Sequence, residues 1–216
     1  QAPKGLPKDA RTADWNFLGP GRNCHSPETR IATSWPAAGP PLVWEMERGE
    51  GYACPAIAGD RLVYTHRIGN QTHIDCLHAE TGKLLWRRSA PCNYRTRYIT
   101  DGGPRSSPVI HDGLVYVHEV EGTLRCLKLE TGATLWSRDL AKEMNSPPDF
   151  FGVVSTPLVY ADMLIQNVGG PKASVAAFDL KTGKTRWTAG EVWGPSCASP
   201  VMGKVRGRDR IFVMAG

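Results

Sequence analysis

Arginine and tyrosine interleave through one short stretch, and that stretch holds the densest chemistry in the sequence. Arg87-Arg88-Ser89-Ala90-Pro91-Cys92-Asn93-Tyr94-Arg95-Thr96-Arg97-Tyr98 leads on to Gly103-Pro104-Arg105. Between 83 and 105 stand six basic residues (Lys83, Arg87, Arg88, Arg95, Arg97, Arg105) against Asp101 alone. The whole chain carries a formal charge of +5, so the remainder is neutral. Guanidinium forks grip phosphate or carboxylate, and guanidinium and phenol planes stack on rings. The competing reading is a solvated loop whose arginines lay their aliphatic stems along an edge. A patch this short, on a chain otherwise neutral, is not the broad basic face of a nucleic-acid binder. Nucleic acid is therefore not an expected partner.

The other reactive side chains point away from catalysis. The six cysteines (Cys24, Cys54, Cys76, Cys92, Cys126, Cys197) include no pair at metal-ligand spacing. Cys76 and Cys126 lie 50 residues apart, and Ala177 follows at the next equivalent place. A position that takes Cys or Ala asks for a small buried side chain. A disulfide from Cys24 or Cys92 stays open as an alternative in an oxidising compartment. His66 and His118 each stand two residues after a tyrosine, Tyr64 or Tyr116. Repeat equivalence accounts for them better than metal binding, and no metal site is expected. No nucleophile-elbow motif accompanies any serine, and no catalytic residue is assigned.

A repeat positions these residues. Ala79-Glu80-Thr81-Gly82-Lys83-Leu84-Leu85-Trp86, Leu129-Glu130-Thr131-Gly132-Ala133-Thr134-Leu135-Trp136 and Leu180-Lys181-Thr182-Gly183-Lys184-Thr185-Arg186-Trp187 state one phrase at intervals of 50 and 51 residues. Such a period signals a repeat architecture. Gly82, Gly132 and Gly183 supply the positive φ of a tight turn, and the next strand carries Trp four residues on. A second phrase precedes each of the three and occurs a fourth time in part: Cys54-Pro55, Ser107-Pro108, Thr156-Pro157 and Ser199-Pro200 each open a short apolar hairpin. Two hairpins per period make a four-stranded unit, the blade of a β-propeller.

Within that frame Tyr52, Arg105, Val154 and Cys197 are equivalent, two residues ahead of the residue before each Pro. The first strand of a blade lines the central channel, so these side chains are placed to meet a ligand there, or to make structural hydrogen bonds. The links between blades are long (about 88–103, 139–152 and 188–195) and share one face, whereas both hairpin turns are short. Function on rigid scaffolds sits on such loops. The candidate ligand-binding set is Tyr52, Arg95, Arg97, Tyr98, Arg105, Phe151 and Trp193.

These phrases resemble the blade repeats of the pyrroloquinoline-quinone-like (PQQ-like) propeller superfamily, over roughly residues 14–216. The opening Trp15-Asn16-Phe17-Leu18-Gly19-Pro20-Gly21-Arg22-Asn23 is also similar to the start of secreted members. The resemblance implies an all-β fold. It includes both quinoprotein dehydrogenases and a propeller lipoprotein of outer-membrane assembly. The dehydrogenases use adjacent paired cysteines and a calcium-bound acidic cluster, and neither motif is found here.

Composition is that of a soluble globular chain, with 41% hydrophobic and 22% charged residues. No apolar run approaches the ~20 residues of a membrane helix. Residues 1–40 read as an extended arm wrapping the rim. Residues 41–216 read as a partial propeller. Trp44 marks a closing strand at 41–48, and blades follow at 50–88, 103–138 and 152–189, with a half blade at 194–216. About three and a half blades fall short of the roughly four to eight of a closed ring. The expectation is therefore an incomplete ring, with Trp44, Trp86, Trp136 and Trp187 mostly buried at blade junctions. Open edges invite self-association, a protein partner or the rest of the propeller. The functional expectation is a non-enzymatic binding or scaffolding module, periplasmic or secreted, with no cofactor. The alternative is a quinoprotein oxidoreductase using PQQ and calcium.

Overall fold

Each repeat of about 50 residues folds as one antiparallel sheet with its strands in chain order. The computed structural model describes residues 12–29, 32–96, 101–146, 148, 151–191 and 193–216. The first blade holds β1 (Ala56–Ala58), β2 (Arg61–Ile68), β3 (Gln71–His78) and β4 (Leu84–Pro91). The second holds β5 (Val109–His111), β6 (Leu114–His118), β7 (Thr123–Lys128) and β8 (Thr134–Asp139). A short helix, α1 (Leu140–Glu143), opens the following link. The third blade holds β9 (Leu158–Tyr160), β10 (Met163–Gly170), β11 (Ala173–Asp179) and β12 (Thr185–Ala189). A two-stranded hairpin, β13 (Val201–Val205) and β14 (Arg208–Phe212), begins a fourth. The fold is an all-β, incomplete propeller.

The sheets stack face to face, and the apolar face of one meets that of the next. Val63, Ile74, Cys76 and Trp86 pack on Ile110, Val115, Val117 and Leu127 of the second blade. Tyr116, Leu124, Cys126 and Trp136 pack on Leu164, Ala176 and Phe178 of the third. Cys76, Cys126 and Ala177 are fully buried beside the Trp strand, where a larger side chain would overpack the junction.

The Trp and Gly of the repeated phrase are partners across the junction. Gly132 has φ +67°, and a Cβ there would lie 2.6 Å from the Trp86 ring; Gly183 stands in the same relation to Trp136. Each indole N–H donates to a backbone carbonyl just before the turn it covers, Trp86 to Leu129 at 2.8 Å and Trp136 to Leu180 at 2.9 Å. Glycine is thus required twice at these places, for the left-handed backbone and for the ring above it. Trp44 repeats the arrangement on Gly82, donating to the Ala79 carbonyl at 2.8 Å.

Trp187 departs from the expectation. It is 37% exposed, whereas Trp86 and Trp136 are 8% and 9% exposed. Among the described residues no glycine turn lies against its ring.

A second set of links runs along the inner strands. Cys54 N–H donates to Ser107 Oγ (2.9 Å), Ser107 N–H to Thr156 Oγ1 (3.0 Å) and Thr156 N–H to Ser199 Oγ (2.9 Å). The hydroxyl before each Pro therefore satisfies the backbone of the blade before it.

One alignment is corrected. Val63 and Tyr116 are the positions that face Cys76 and Cys126 in register. Tyr64 and His66 fall one place later than Tyr116 and His118, and so lie on the opposite face of their sheet. A one-residue slip inverts every side chain in a strand. His66 and His118 are not equivalent.

The arm is corrected too. Residues 15–22 cross the inner strands instead of wrapping the rim, and residues 1–11 and 30–31 lie outside the described residues. Trp15 exchanges backbone hydrogen bonds with Ile57 of β1 at 2.8 and 2.6 Å. The Asn16 amide bonds both the N–H and the carbonyl of Ile110 in β5, and Arg22 reaches the Pro157 carbonyl before β9 at 2.6 Å. One segment ties the otherwise free inner edges of three blades, which blunts them against other chains. Residues 41–48 form no strand; Trp44 anchors them against the first blade.

Candidate functional site

Three of the predicted ligand-binding residues converge at the loop end of the inner strands. The Arg105 guanidinium lies 5.0 Å from the centre of the Tyr52 ring and 5.4 Å from that of Phe151. Each member comes from a different repeat, Tyr52 ahead of β1, Arg105 ahead of β5 and Phe151 in the link before β9. Backbone pairing sets the spacing, because Tyr52 and Ala53 N–H groups both donate to the Pro104 carbonyl. Arg105 is steadied by long bonds, 3.3 Å each, to the Gly103 and Asp101 carbonyls. Tyr52 is 60% exposed, so the stack is open to an incoming group. A cation held between aromatic faces presents its edge to carboxylates and its neighbours' rings to planar ligands.

The basic stretch behaves differently from the sequence expectation. Arg87 turns inward as a fork on Asp75, with both bonds at 2.7 Å. Arg88 donates at 2.7 Å to the Gly132 carbonyl, bracing the same turn that Trp86 covers. Arg138, two residues after Trp136, does the same to Gly183 at 2.6 Å. Arg95 bonds the Asn70 side chain at 2.8 Å. Arg97 and Tyr98 lie outside the described residues. Trp193, 53% exposed, packs over Gly190, and its carbonyl accepts from Ser174 Oγ at 3.1 Å.

Arg67 organises this loop and was not singled out from the sequence. It is 4% exposed. Its guanidinium donates to the carbonyls of Gly69, Tyr94, Gly102 and Cys92, drawing both ends of the first link together. Its strand also carries Arg61, Thr65 and His66, so nothing in the sequence distinguishes it, and its burial is costly unless its donors are used.

A second polar cluster lies under the strap at 48–51. Gly49 N–H donates to His66 Nδ1 at 3.1 Å, so the ring carries its proton on Nε2 and donates it to Asp75 at 3.0 Å. Burial pushes the Asp75 carboxyl up, but the Arg87 fork and the His66 bond outweigh it and bring the pKa to about 2. The cluster is fully bonded and structural. All six cysteines are free: Cys76, Cys92 and Cys126 are buried, and Cys24, Cys54 and Cys197 exposed. Among the described residues no three His, Cys, Asp or Glu side chains converge as a metal site.

A family model described as outer membrane protein assembly factor BamB (PQQ_2) matches residues 70–214. The chain belongs to this PQQ-like propeller family. Curated relatives span several activities. Tetrathionate hydrolase of Acidithiobacillus ferrooxidans is 28% identical, over 58% of this chain and 26% of its own length. Quinohemoprotein alcohol dehydrogenase ADH IIB of Pseudomonas putida is 25% identical, over 68% and 21%. Outer membrane protein assembly factor BamB of Yersinia pestis is 26% identical, over 70% and 35%. A solved europium-containing methanol dehydrogenase superposes with a TM-score of 0.47 at 18% identity, over 66% of this chain and 25% of that one. The chain therefore matches about a third or less of each relative. No helix among the described residues is long and apolar enough to cross a membrane.

Proposed function

We propose that this chain is a non-enzymatic binding or scaffolding module that engages a protein or small ligand through its loop face. The observation that carries the reading is the Tyr52–Arg105–Phe151 stack, assembled from three repeats and open on one side. Its chemistry suits an acidic or aromatic side chain of a partner, or an anionic planar ligand. The family match to an assembly factor supports the same reading, and with it a location outside the cytoplasm. Arg67, Arg87 and Arg88 each complete internal hydrogen bonds instead.

The dehydrogenase relatives keep a quinoprotein oxidoreductase as the second reading. The described residues do not assemble its expected groups, because the cysteines are unpaired and no acidic cluster converges. No chemical step is derived through that cofactor. Two measurements test the proposal together. Adding PQQ and calcium should leave the absorption spectrum as the sum of its parts, with no dye reduction; uptake with turnover would overturn the module reading. On an array of peptides varied in acidic and aromatic content, binding should concentrate on spots carrying both, and Arg105→Ala should abolish it. Binding unaffected by Arg105→Ala would remove the stack from the site.

A further inference from the structure

A cavity of about 370 Å³ lies between the arm and the inner strands of the second and third blades. Asn16, Pro20 and Arg22 of the arm line one side, and Val109 and Ile110 of β5 with Val159 of β9 line the other. His111 and Ala161 line it beside the turns that leave β5 and β9. It therefore sits at the opposite end of the inner strands from the Tyr52–Arg105–Phe151 stack. A space of this size admits a small molecule or a side chain of a partner.

The arm brings a cation to this space and leaves one edge of it unused. Arg22 donates through Nη1 to the Pro157 carbonyl at 2.6 Å. Its Nε and Nη2 are shut off from solvent and have no partner. Burial lowers the guanidinium pKa to about 10, which leaves it charged at neutral pH. A buried charged donor without an acceptor is costly, and such a group marks a place that something else completes. The backbone beneath it is strained as well. Arg22 holds φ +51°, and Leu18 and Cys24 in the same loop hold +67° and +61°, a region that residues with a Cβ rarely enter. The loop is exposed at Pro20, Asn23 and Cys24. The guanidinium rides on this loop, so a small shift of it turns the unused edge to the cavity.

That edge selects the occupant. Nε–H and the Nη2–H beside it are parallel donors, and they match the two oxygens of one carboxylate. One guanidinium also balances one carboxylate charge. Among the described lining residues the other base, His111, already has a carboxylate, Asp112, at 3.4 Å. The walls of Val109, Ile110 and Val159 suit an aliphatic stem behind the charged group. We propose that this cavity binds a carboxylate on a short aliphatic stem, that of a free acid or of a partner's glutamate side chain, in the fork of Arg22.

The test uses the intact chain with ¹⁵N-labelled arginine and reads the Arg22 Nε–H by NMR, its signal assigned by its loss in Arg22→Lys. Butyrate should shift it saturably, with a dissociation constant on the order of 1 mM, the range open to six heavy atoms in a small site. Acetate should bind several-fold more weakly, because it lacks the methylenes that the apolar walls cover. Butylammonium, of similar shape and opposite charge, should not bind. Arg22→Lys keeps the charge and loses the fork; read on the Ile110 and Ala161 backbone amides, it should weaken butyrate about tenfold. The Trp15 and Asn16 bonds to β1 and β5 remain to hold the arm in that variant. N-acetylglutamate α-amide binding at least as tightly as butyrate assigns the carboxylate to a protein partner, and weaker binding assigns it to a free acid. No saturable shift of the Arg22 signal in 100 mM butyrate, phosphate binding more tightly than butyrate, or unchanged butyrate binding in Arg22→Lys would overturn the proposal.

Discussion

Gly132→Ala and Gly113→Ala form a pair that isolates the cross-blade contact of Trp86. Both glycines have nearly the same left-handed backbone, φ +67° and +71°. Alanine there costs roughly 1–2 kcal/mol for the backbone alone, and the loss of unfolded-state freedom offsets part of that equally in both. The surroundings differ. A Cβ on Gly113 meets nothing within 4 Å, whereas one on Gly132 would lie 2.6–3.1 Å from three atoms of the Trp86 ring. The ring cannot yield freely, because its N–H is bonded to Leu129 and its other side packs in the junction core. Overpacking of this kind costs roughly 1–3 kcal/mol. In a domain of this size that should separate the two melting temperatures by roughly 2–10 °C. Thermal unfolding followed by circular dichroism measures the difference. Tryptophan emission should also shift to the red in Gly132→Ala as the ring is displaced. Equal melting of the two variants would refute the socket.

Other outcomes follow from the same geometry. Asp75 has a folded pKa of about 2, below its ordinary 3.8, so its contribution is present above the unfolded value and disappears as pH falls from about 4 to 2. Asp75→Asn should be less stable at neutral pH by roughly 2 kcal/mol and should lose that part of the acid dependence, read from denaturant melts across pH 2–7. Ser107→Ala removes the acceptor of the Cys54 N–H; it should cost about 1–3 kcal/mol, whereas Ser107→Thr, the residue type at position 156, should be nearly neutral in the same melts. A thiol reagent should titrate Cys24, Cys54 and Cys197 in the native protein and reach Cys76, Cys92 and Cys126 only after unfolding; burial raises the Cys76 thiol to about 11 and the Cys126 thiol to about 12.

The periodic features were legible because each is enforced within a few residues of its own strand. A Thr-Gly turn needs its glycine locally, and the residue paired with each Trp on the neighbouring strand is small: Cys, Cys and Ala. From these the blade, its strand count and the Trp junctions follow without coordinates. So does the equivalence of Tyr52 and Arg105, since both are counted from a Pro that anchors the inner strand. Pairing across distance was not legible. Leu62-Val63-Tyr64 and Leu114-Val115-Tyr116 look like one phrase, but the backbone pairs Val63 and Tyr116 with the cysteines, and a slip of one inverts a face. Arg67, Arg88 and Arg138 look like surface charge, and only tertiary structure supplies the carbonyls, up to 45 residues away, that they serve. The arm carries no periodicity, so nothing in it announced that Asn16 would pair with Ile110.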